Sequence, residues 1–408
     1  MNLITETDKY IFSTYKRFPI VLLKGKGTKV WDQDGKEYLD FVTGLAVCSL
    51  GHCHPKVVEA IEAQAKTLIH VSNLFHIKPQ IELARLLVEN SFADKVFFCN
   101  SGAEANEGAI KLTRKYMRDK KEDRFEIIAM HDSFHGRTLA TITATGQDKF
   151  KEGFDPLLPG FKHVPFNDLD AVRKAVTDKT AGIMVEPIQG EGGVNCPADN
   201  YFRALRAFCD EKKLLLIFDE IQVGLGRTGK LFAYEHYGIT PDIMTLAKSL
   251  AGGLPIGALL ARDEIAKCFV PGTHASTFGG NPLVTAAGIA AFTALKDPAL
   301  LENCCFVGAY FMGELNRLKK KHSVIREVRG RGLIIGMELT IPGAEIVNKC
   351  LEQGVLINCV HNNVLRFLPP LIVTNEEVDR VVALLDEFLK LSQSLLLLPR
   401  AKLFKANC

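Results

Sequence analysis

The sequence predicts an α/β fold built on a mostly parallel sheet flanked by helices, with a smaller α+β unit after it. Three observations carry this. Five short, continuous apolar runs end at loops rich in glycine and polar residues. Such runs suit strands buried on both faces of a parallel sheet. Helical patterns lie between some of them, an alternation that argues for a parallel sheet with crossover helices. From about residue 298 the pattern changes to helix, strand, helix, strand, helix.

Two helices come first, PKVVEAIEAQAKTLIH (55–70) and PQIELARLLVENS (79–91). Each has a proline at its start, where the missing N–H would be unpaired anyway. The five runs follow: KVFFC (95–99), EIIAM (126–130), GIMVE (182–186), LLLIF (214–218) and IGALLA (256–261). AEANEGAIKLTRKY (103–116) is the helix after the first, and ADNYFRALRAFCDEKK (198–213) precedes the fourth. The later unit holds a long helix, the strand LIIGMEL (333–339), a helix, the strand VLINCV (355–360) and a last helix. Thr374 opens that last helix, with Glu377 three residues on as a capping box. The expected division is an N-terminal segment (1–50) packing with a C-terminal small domain (304–408), and a large domain (51–303) between them. The tail LLLLPRAKLFKANC (395–408) receives no role.

The chain's 408 residues suggest about two to three domains, or one large domain with a satellite. The net charge of +3 is spread among interleaved acids and bases, which argues against a nucleic-acid partner. Eleven cysteines with no CxxC pair fit reduced thiols in a cytoplasmic protein. The opening MNLITETDKYIFSTYKRF has no apolar core and reads as neither a secretory signal nor a transit peptide. His52-Cys53-His54 are too close together to form a metal site alone and read as a turn before the Pro55 helix, so no metal is expected.

The chemistry centres on IMTLAKSLAGGLPIGALLA (243–261), an apolar run with Lys248 inside it. The lysine, Gly252, Gly253 and Pro255 argue against a membrane span, and no second candidate span exists. Burial disfavours an ammonium and lowers its pKa, which leaves an amine kept partly neutral for chemistry in a dry pocket.

In open α/β sheets, ligands bind beyond the carboxyl ends of the strands. After KVFFC, Ser101 and Glu104 can cap the next helix. Ser101, Gly102 and Ala103 are also small enough for a phosphate to reach its N-terminus. Capping alone and phosphate binding both stand. After EIIAM, Phe134 could cover a flat ligand and Arg137 could fork onto a carboxylate, or the stretch is a polar loop with a core phenylalanine. After LLLIF, Asp219 and Glu220 are costly unless paired, either with a cationic ring nitrogen or with an arginine. GLGRTG (224–229) matches a dinucleotide fingerprint but is separated from its strand by DEIQV and lies mid-chain, so it reads as a decoy. A Schiff-base lysine, a phosphate-binding helix end, an aromatic cover and an acid for a pyridinium nitrogen together make a pyridoxal-phosphate site.

The ordered motifs NSGAEANEGAIKL, FHGRT, VEPIQGEGG, FDEIQVGLGRTG, LAKSLAGGLPIGA, STFGGNP, RGRGLIIGMEL and VLRFLPPL resemble the class III pyridoxal-phosphate aminotransferases, from about Tyr15 to residue 390. Within that family the chain looks most like the members that use acetylornithine. The resemblance implies a fold-type I transferase and a set of roles. Lys248 would carry the cofactor and move a proton, Asp219 would hold the pyridine nitrogen, and Gln222 would bond the ring oxygen. Phe134 would stack on the ring, while Ser101, Gly102 and Ala103 would bind the phosphate. Thr277 and Ser276 would reach over from the second subunit of a homodimer.

Arg137 would hold the α-carboxylate of an ω-amino donor, and Arg366 that of glutamate or 2-oxoglutarate. Glu191 would cover Arg366 while the ω-amino donor is bound. The implied reaction is ping-pong transfer from N2-acetyl-L-ornithine to 2-oxoglutarate, giving N-acetyl-L-glutamate 5-semialdehyde and L-glutamate, as in arginine synthesis. Succinylornithine, succinyl-diaminopimelate, ornithine and 4-aminobutyrate are the alternative donors. Ornithine-using relatives tend to carry tyrosine where this chain has Leu45, and an apolar residue suits an acylated nitrogen better. Cys48-Ser49 and Ile221 depart mildly from the family pattern, the first near the substrate pocket.

Overall fold

A computed structural model describes residues 3–397, with side chains to residue 391. The tail from 398 to 408, to which the sequence gives no role, lies outside the described residues. In chain order the strands begin with β1 (Leu22–Lys26), β2 (Lys29–Asp32) and β3 (Glu37–Asp40). The middle of the chain supplies β4 (Lys95–Cys99), β5 (Glu126–Met130), β6 (Phe161–Val164), β7 (Thr180–Val185), β8 (Leu215–Asp219), β9 (Ile243–Leu246) and β10 (Gly257–Ala261). The last are β11 (Ile325–Arg331), β12 (Ile334–Leu339), β13 (Val355–Leu356), β14 (Asn358–Val360) and β15 (Val364–Phe367).

The middle strands form one seven-stranded sheet in the order β4-β10-β9-β8-β7-β5-β6. Only β10 runs against the others, pairing antiparallel with both β4 and β9. Every residue of β7, β8, β9 and β10 is buried, which is why these segments read as unbroken apolar runs rather than alternating ones. Two strands escape the list of apolar runs. Phe161–Val164 is a short edge strand with Lys162 and His163 in it, and Ile243–Leu246 is absorbed into the stretch around Lys248. The helix Pro55–Ala65 stops five residues before its apolar pattern does, because Leu68 and Ile69 are exposed and have no core to pack on.

The chain's two ends share a second sheet, β1-β2-β3-β13, in which Leu39 pairs in parallel with Val355. A third sheet, β11-β12-β15-β14, carries Arg366. Phe311 of the helix Pro298–Lys321 joins the two, meeting Phe41 and Phe367 edge-on with ring centroids 5.8 and 5.1 Å apart. The last helix has its capping box: Thr374 N–H donates to Glu377 at 3.0 Å, and Glu377 N–H to Thr374 Oγ1 at 3.3 Å. Among the described residues no single helix is long and apolar enough to cross a membrane, although the pair Pro282–Leu295 and Pro298–Lys321, bent by 61°, passes by length and composition together.

Candidate active site

A cavity of about 460 Å³ opens beyond the carboxyl ends of β4, β5, β7, β8 and β9, the edge where parallel strands present their ligands. Each strand contributes the residue or loop that follows it. From β4 comes the N-terminus of the helix Gly102–Asp119. Ser101 caps it, accepting from Glu104 N–H at 3.2 Å, while the Glu104 carboxylate reaches back to Asn100 N–H. Gly102 lies so close to Ile221 that a Cβ there would sit 2.8 Å from its Cδ1.

From β8 comes Asp219, only 4% exposed. Its Oδ2 accepts from Asn106 Nδ2 at 2.7 Å and meets His135 Nδ1 at 2.8 Å. Thr245 donates to the Asn106 amide oxygen at 2.8 Å, which turns the amide nitrogen toward the acid. Neither acid of the Asp219-Glu220 pair is matched with an arginine. Glu220 instead accepts the Ala233 and Tyr234 N–H groups at 2.6 and 2.7 Å, and burial pushes its pKa up to about 8. From β7 comes Glu186, which accepts Phe134 N–H at 3.0 Å. Burial, and then the neighbouring Asp219, hold its carboxyl well above the ordinary range. Sequence reasoning assigned no role to Asn106, His135 or Glu186. All three stand inside quoted motifs; Asn106 reads there as an ordinary helix residue, while His135 and Glu186 lie at a loop and a strand end, and those positions were their signal.

From β9 comes Lys248, the first residue of the short turn Lys248–Ala251, with a left-handed φ of +43°. Burial pulls its ammonium pKa down, against the opposing pull of Glu191, Asp219 and Glu186. The loop after β7 brings Glu191 to the cavity wall, where Oε1 lies 2.7 Å from Arg366 Nη1. Burial raises the Glu191 pKa, but Arg366 and Lys248 outweigh it and leave the group below the ordinary glutamate value. Arg366 also faces Gln222 Oε1 at 3.4 Å and donates from Nε to Asn358 at 3.3 Å. The glycines beside Glu191 are forced by close approach: a Cβ at Gly190 would fall 1.7 Å from Gln222 Oε1, and one at Gly192 would fall 2.5 Å from the Asp132 carbonyl oxygen.

Phe134 and Arg137 line the same cavity. Arg137 is exposed, with its guanidinium 3.9 Å over the Phe150 ring and 5.5 Å from that of Phe134. Arg366 lies behind the lining, against Glu191, and three further candidates lie outside it. Leu45 is 42% exposed, in a turn whose four residues Thr43, Gly44, Leu45 and Ala46 all have left-handed φ (51, 61, 66 and 65°), and Val47 lines the cavity instead. Ser276 sits behind Asn100 of its own chain, accepting its side-chain amide at 3.1 Å, and Thr277 is exposed. His52 and His54 do not converge on a metal: His52 pairs with Asp40 at 2.7 Å.

These residues fit pyridoxal phosphate. A helix N-terminus without side-chain bulk suits the phosphate, a buried oriented carboxylate suits the ring nitrogen, and a buried amine suits the aldehyde.

The chain matches the family model described as aminotransferase class-III over residues 10–389. It is 58% identical to the acetylornithine aminotransferase of Caldanaerobacter subterraneus subsp. tengcongensis, over 95% of this chain and 99% of that one. It is 54% identical to the acetylornithine aminotransferase of Methanocaldococcus jannaschii, over 95% and 97%. Among solved structures, the ornithine aminotransferase of Toxoplasma gondii ME49 superposes with a TM-score of 0.93 at 37% identity, covering 96% of this chain and 95% of that one. The N-acetylornithine aminotransferase of Stenotrophomonas maltophilia K279a gives 0.83 at 36%, covering 96% and 99%.

Proposed function

This chain belongs to the class III aminotransferases, which depend on pyridoxal phosphate, and from that premise we propose that it moves the distal amino group of N2-acetyl-L-ornithine to 2-oxoglutarate. The products are N-acetyl-L-glutamate 5-semialdehyde and L-glutamate, and the reaction serves arginine biosynthesis. The observation that carries an ω-amino donor is the pairing at 2.7 Å of Glu191, which lines the cavity with Lys248, with the fully buried Arg366 behind it. The acetylated donor rests on the relatives at 58% and 54% identity that carry that name. Free ornithine is the second reading, favoured by the solved neighbour at a TM-score of 0.93 and opposed by the apolar Leu45, two residues from the cavity-lining Val47.

Bound pyridoxal phosphate supplies a carbonyl that takes up an amino group and a ring that accepts the electron pair left when a C–H proton departs. The chain's residues do the rest. The Lys248 amine, its pKa drawn down by burial, would take the proton from the donor carbon and return it at the next position. Asp219, fixed by Asn106 and His135, keeps a proton on the ring nitrogen. Gln222 binds the ring oxygen, Phe134 covers the ring face, and Ser101, Gly102 and Ala103 hold the phosphate. Arg137 grips the donor's α-carboxylate, so the distal amine is the end that reaches Lys248.

While the donor is bound, Glu191 neutralises Arg366; when 2-oxoglutarate enters, Glu191 turns aside and Arg366 takes its α-carboxylate. A buried guanidinium left unpaired would be costly, which is why the same arginine needs a partner in both half-reactions. The enzyme works in the cytoplasm as a homodimer, with Thr277 and Ser276 of each subunit serving the other's site. The large domain, 51–303, holds the cofactor, while the small domain, 304–408, with the segment 1–50, brings Arg366 and the pocket mouth.

A single-turnover titration tests the substrate. The yellow holoenzyme is mixed separately with N2-acetylornithine, succinylornithine, ornithine and 4-aminobutyrate, and loss of its visible absorbance is timed. Fastest bleaching by acetylornithine is the expected result. Fastest bleaching by ornithine or 4-aminobutyrate overturns the donor and keeps the family.

A further inference from the structure

The stretch GLGRTG, set aside as a dinucleotide decoy, contains one of the largest fully buried side chains of the molecule, Arg227. Among the described residues no carboxylate pairs with it. Burial draws its pKa down to about 10. Its two Nη groups donate to neutral acceptors from distant segments, while its buried Nε has no partner among the described residues. Nη1 donates to the Leu333 carbonyl at 3.0 Å and to that of Pro369, and Nη2 donates to Ser49 Oγ at 2.8 Å.

From Ser49 the bonds run on. Ser49 and Ser249 hydroxyls lie 2.6 Å apart, and Ser249 donates to the Ala46 carbonyl at 2.9 Å. Each hydroxyl has one hydrogen. The Ser249 hydroxyl is 2.9 Å from the Ala46 carbonyl and that of Ser49 is 3.5 Å away, so the shorter set of bonds runs from the guanidinium through Ser49 and Ser249 to Ala46.

The far end of this chain meets two strained backbones. Ser249 follows Lys248, whose φ is +43°, and Ala46 closes the turn 43–46, in which Thr43, Leu45 and Ala46 are non-glycine residues in the left-handed region. Such conformations persist where the surroundings over-determine them, and they gather at functional sites. Lys248 and Val47, each one residue from an end of these bonds at Ser249 and Ala46, both line the cavity.

We propose that Arg227, Ser49 and Ser249 are positioning residues, a hydrogen-bond relay that fixes Lys248 against the pocket-mouth turn and ties both to the C-terminal unit. The proposal rests on the reading of Lys248 as the cofactor-bearing amine. An arginine suits the origin because its planar fork serves two carbonyls and a hydroxyl at once; a lysine presents one point.

Ser249→Ala removes the last link without stranding a charge. Three measurements are made on it, on Ser49→Ala and on the double variant: melting temperature, the rate at which apoenzyme takes up pyridoxal phosphate with the circular dichroism of the bound chromophore, and the kcat and KM of each half-reaction. The expected result is kcat lowered about tenfold or more in both half-reactions with KM held within about twofold, since small misplacements of a reacting group cost rate rather than affinity. Slower cofactor uptake and altered dichroism accompany it. The double variant resembles either single, because both break one relay, and Ser249→Thr, which keeps the hydroxyl, recovers most of the rate.

Wild-type kcat and dichroism with only a lower melting temperature overturn the proposal, as do additive effects in the double variant. If Ser249→Ala does not fold, Ser49→Ala reads the same link, and wild-type values there overturn it. Turnover by Lys248→Ala would instead overturn the reading of Lys248, whatever the serine variants do.

Discussion

Glu191 and Arg366 face each other across 2.7 Å, the arginine fully buried and the glutamate at the cavity wall. Removing the carboxylate leaves a buried guanidinium free to capture the donor's carboxylate at the wrong place. Glu191→Ala is expected to slow the ω-amino half-reaction at least about tenfold, roughly 1.4 kcal/mol, while slowing the glutamate half-reaction less. Stopped-flow measurement of each half-reaction separately decides it; equal slowing of both counts against the switch.

Gly102 is held by packing rather than by backbone angle, because a Cβ there would lie 2.8 Å from Ile221 Cδ1 and 3.0 Å from its Cγ2. Gly102→Ala is expected to weaken cofactor binding by about 1–3 kcal/mol, the usual cost of overpacking. Ile221→Val deletes the nearer methyl and is expected to recover part of that loss in the double variant. Fluorescence titration of apoenzyme with pyridoxal phosphate gives both numbers.

Glu186 titrates well above the ordinary glutamate value in the folded protein, chiefly through burial. The native state therefore keeps a proton that the unfolded chain has lost, and stability must fall as pH rises from about 4.5 through the raised pKa. Glu186→Gln has no such proton to lose. Wild-type apoenzyme is expected to lose stability relative to the variant over that window, by at most about 1.4 kcal/mol per pH unit. Denaturant unfolding of both proteins at several pH values measures it, and parallel curves would exclude the effect.

Among the described residues no acid pairs with Arg137, which rests instead on the Phe150 ring at 3.9 Å. A stacked cation of this exposure is worth about 0.5–1 kcal/mol. Phe150→Ala is expected to raise the donor's KM about two- to fivefold by that loss of orientation, with the glutamate KM moving less. Steady-state kinetics with each substrate varied in turn is the check.

How much of this was legible in the sequence depends on what kind of signal each feature leaves. The buried strands β4, β5, β7, β8 and β10 announce themselves as apolar runs, and Lys248 stands out as a cation within one. The reversal of β10 leaves no mark, because a strand buried on both faces reads the same in either direction. Arg366 and Glu191 were reachable only through resemblance, since a lone arginine in VLRF carries no pattern that says it is buried. Asn106, which donates to Asp219, and Thr245, which donates to Asn106, were illegible for another reason: a buried polar residue on a helix or strand looks like a surface one until the tertiary partner is known. GLGRTG misleads in the opposite way. Its pattern suggests a nucleotide, and its content is a buried arginine with carbonyl partners from far along the chain.

The pairing of Leu39 with Val355 sets the order of events during synthesis. A ribosome releasing this chain supplies β3 and its neighbour β2 early, and β13, which pairs with its other edge, only when most of the polypeptide has emerged. Until then Phe41 has neither Phe311 nor the last sheet to bury it. The nascent chain thus carries one unpaired edge of β3 until Val355 has been made, and unpaired edges of this kind favour aggregation.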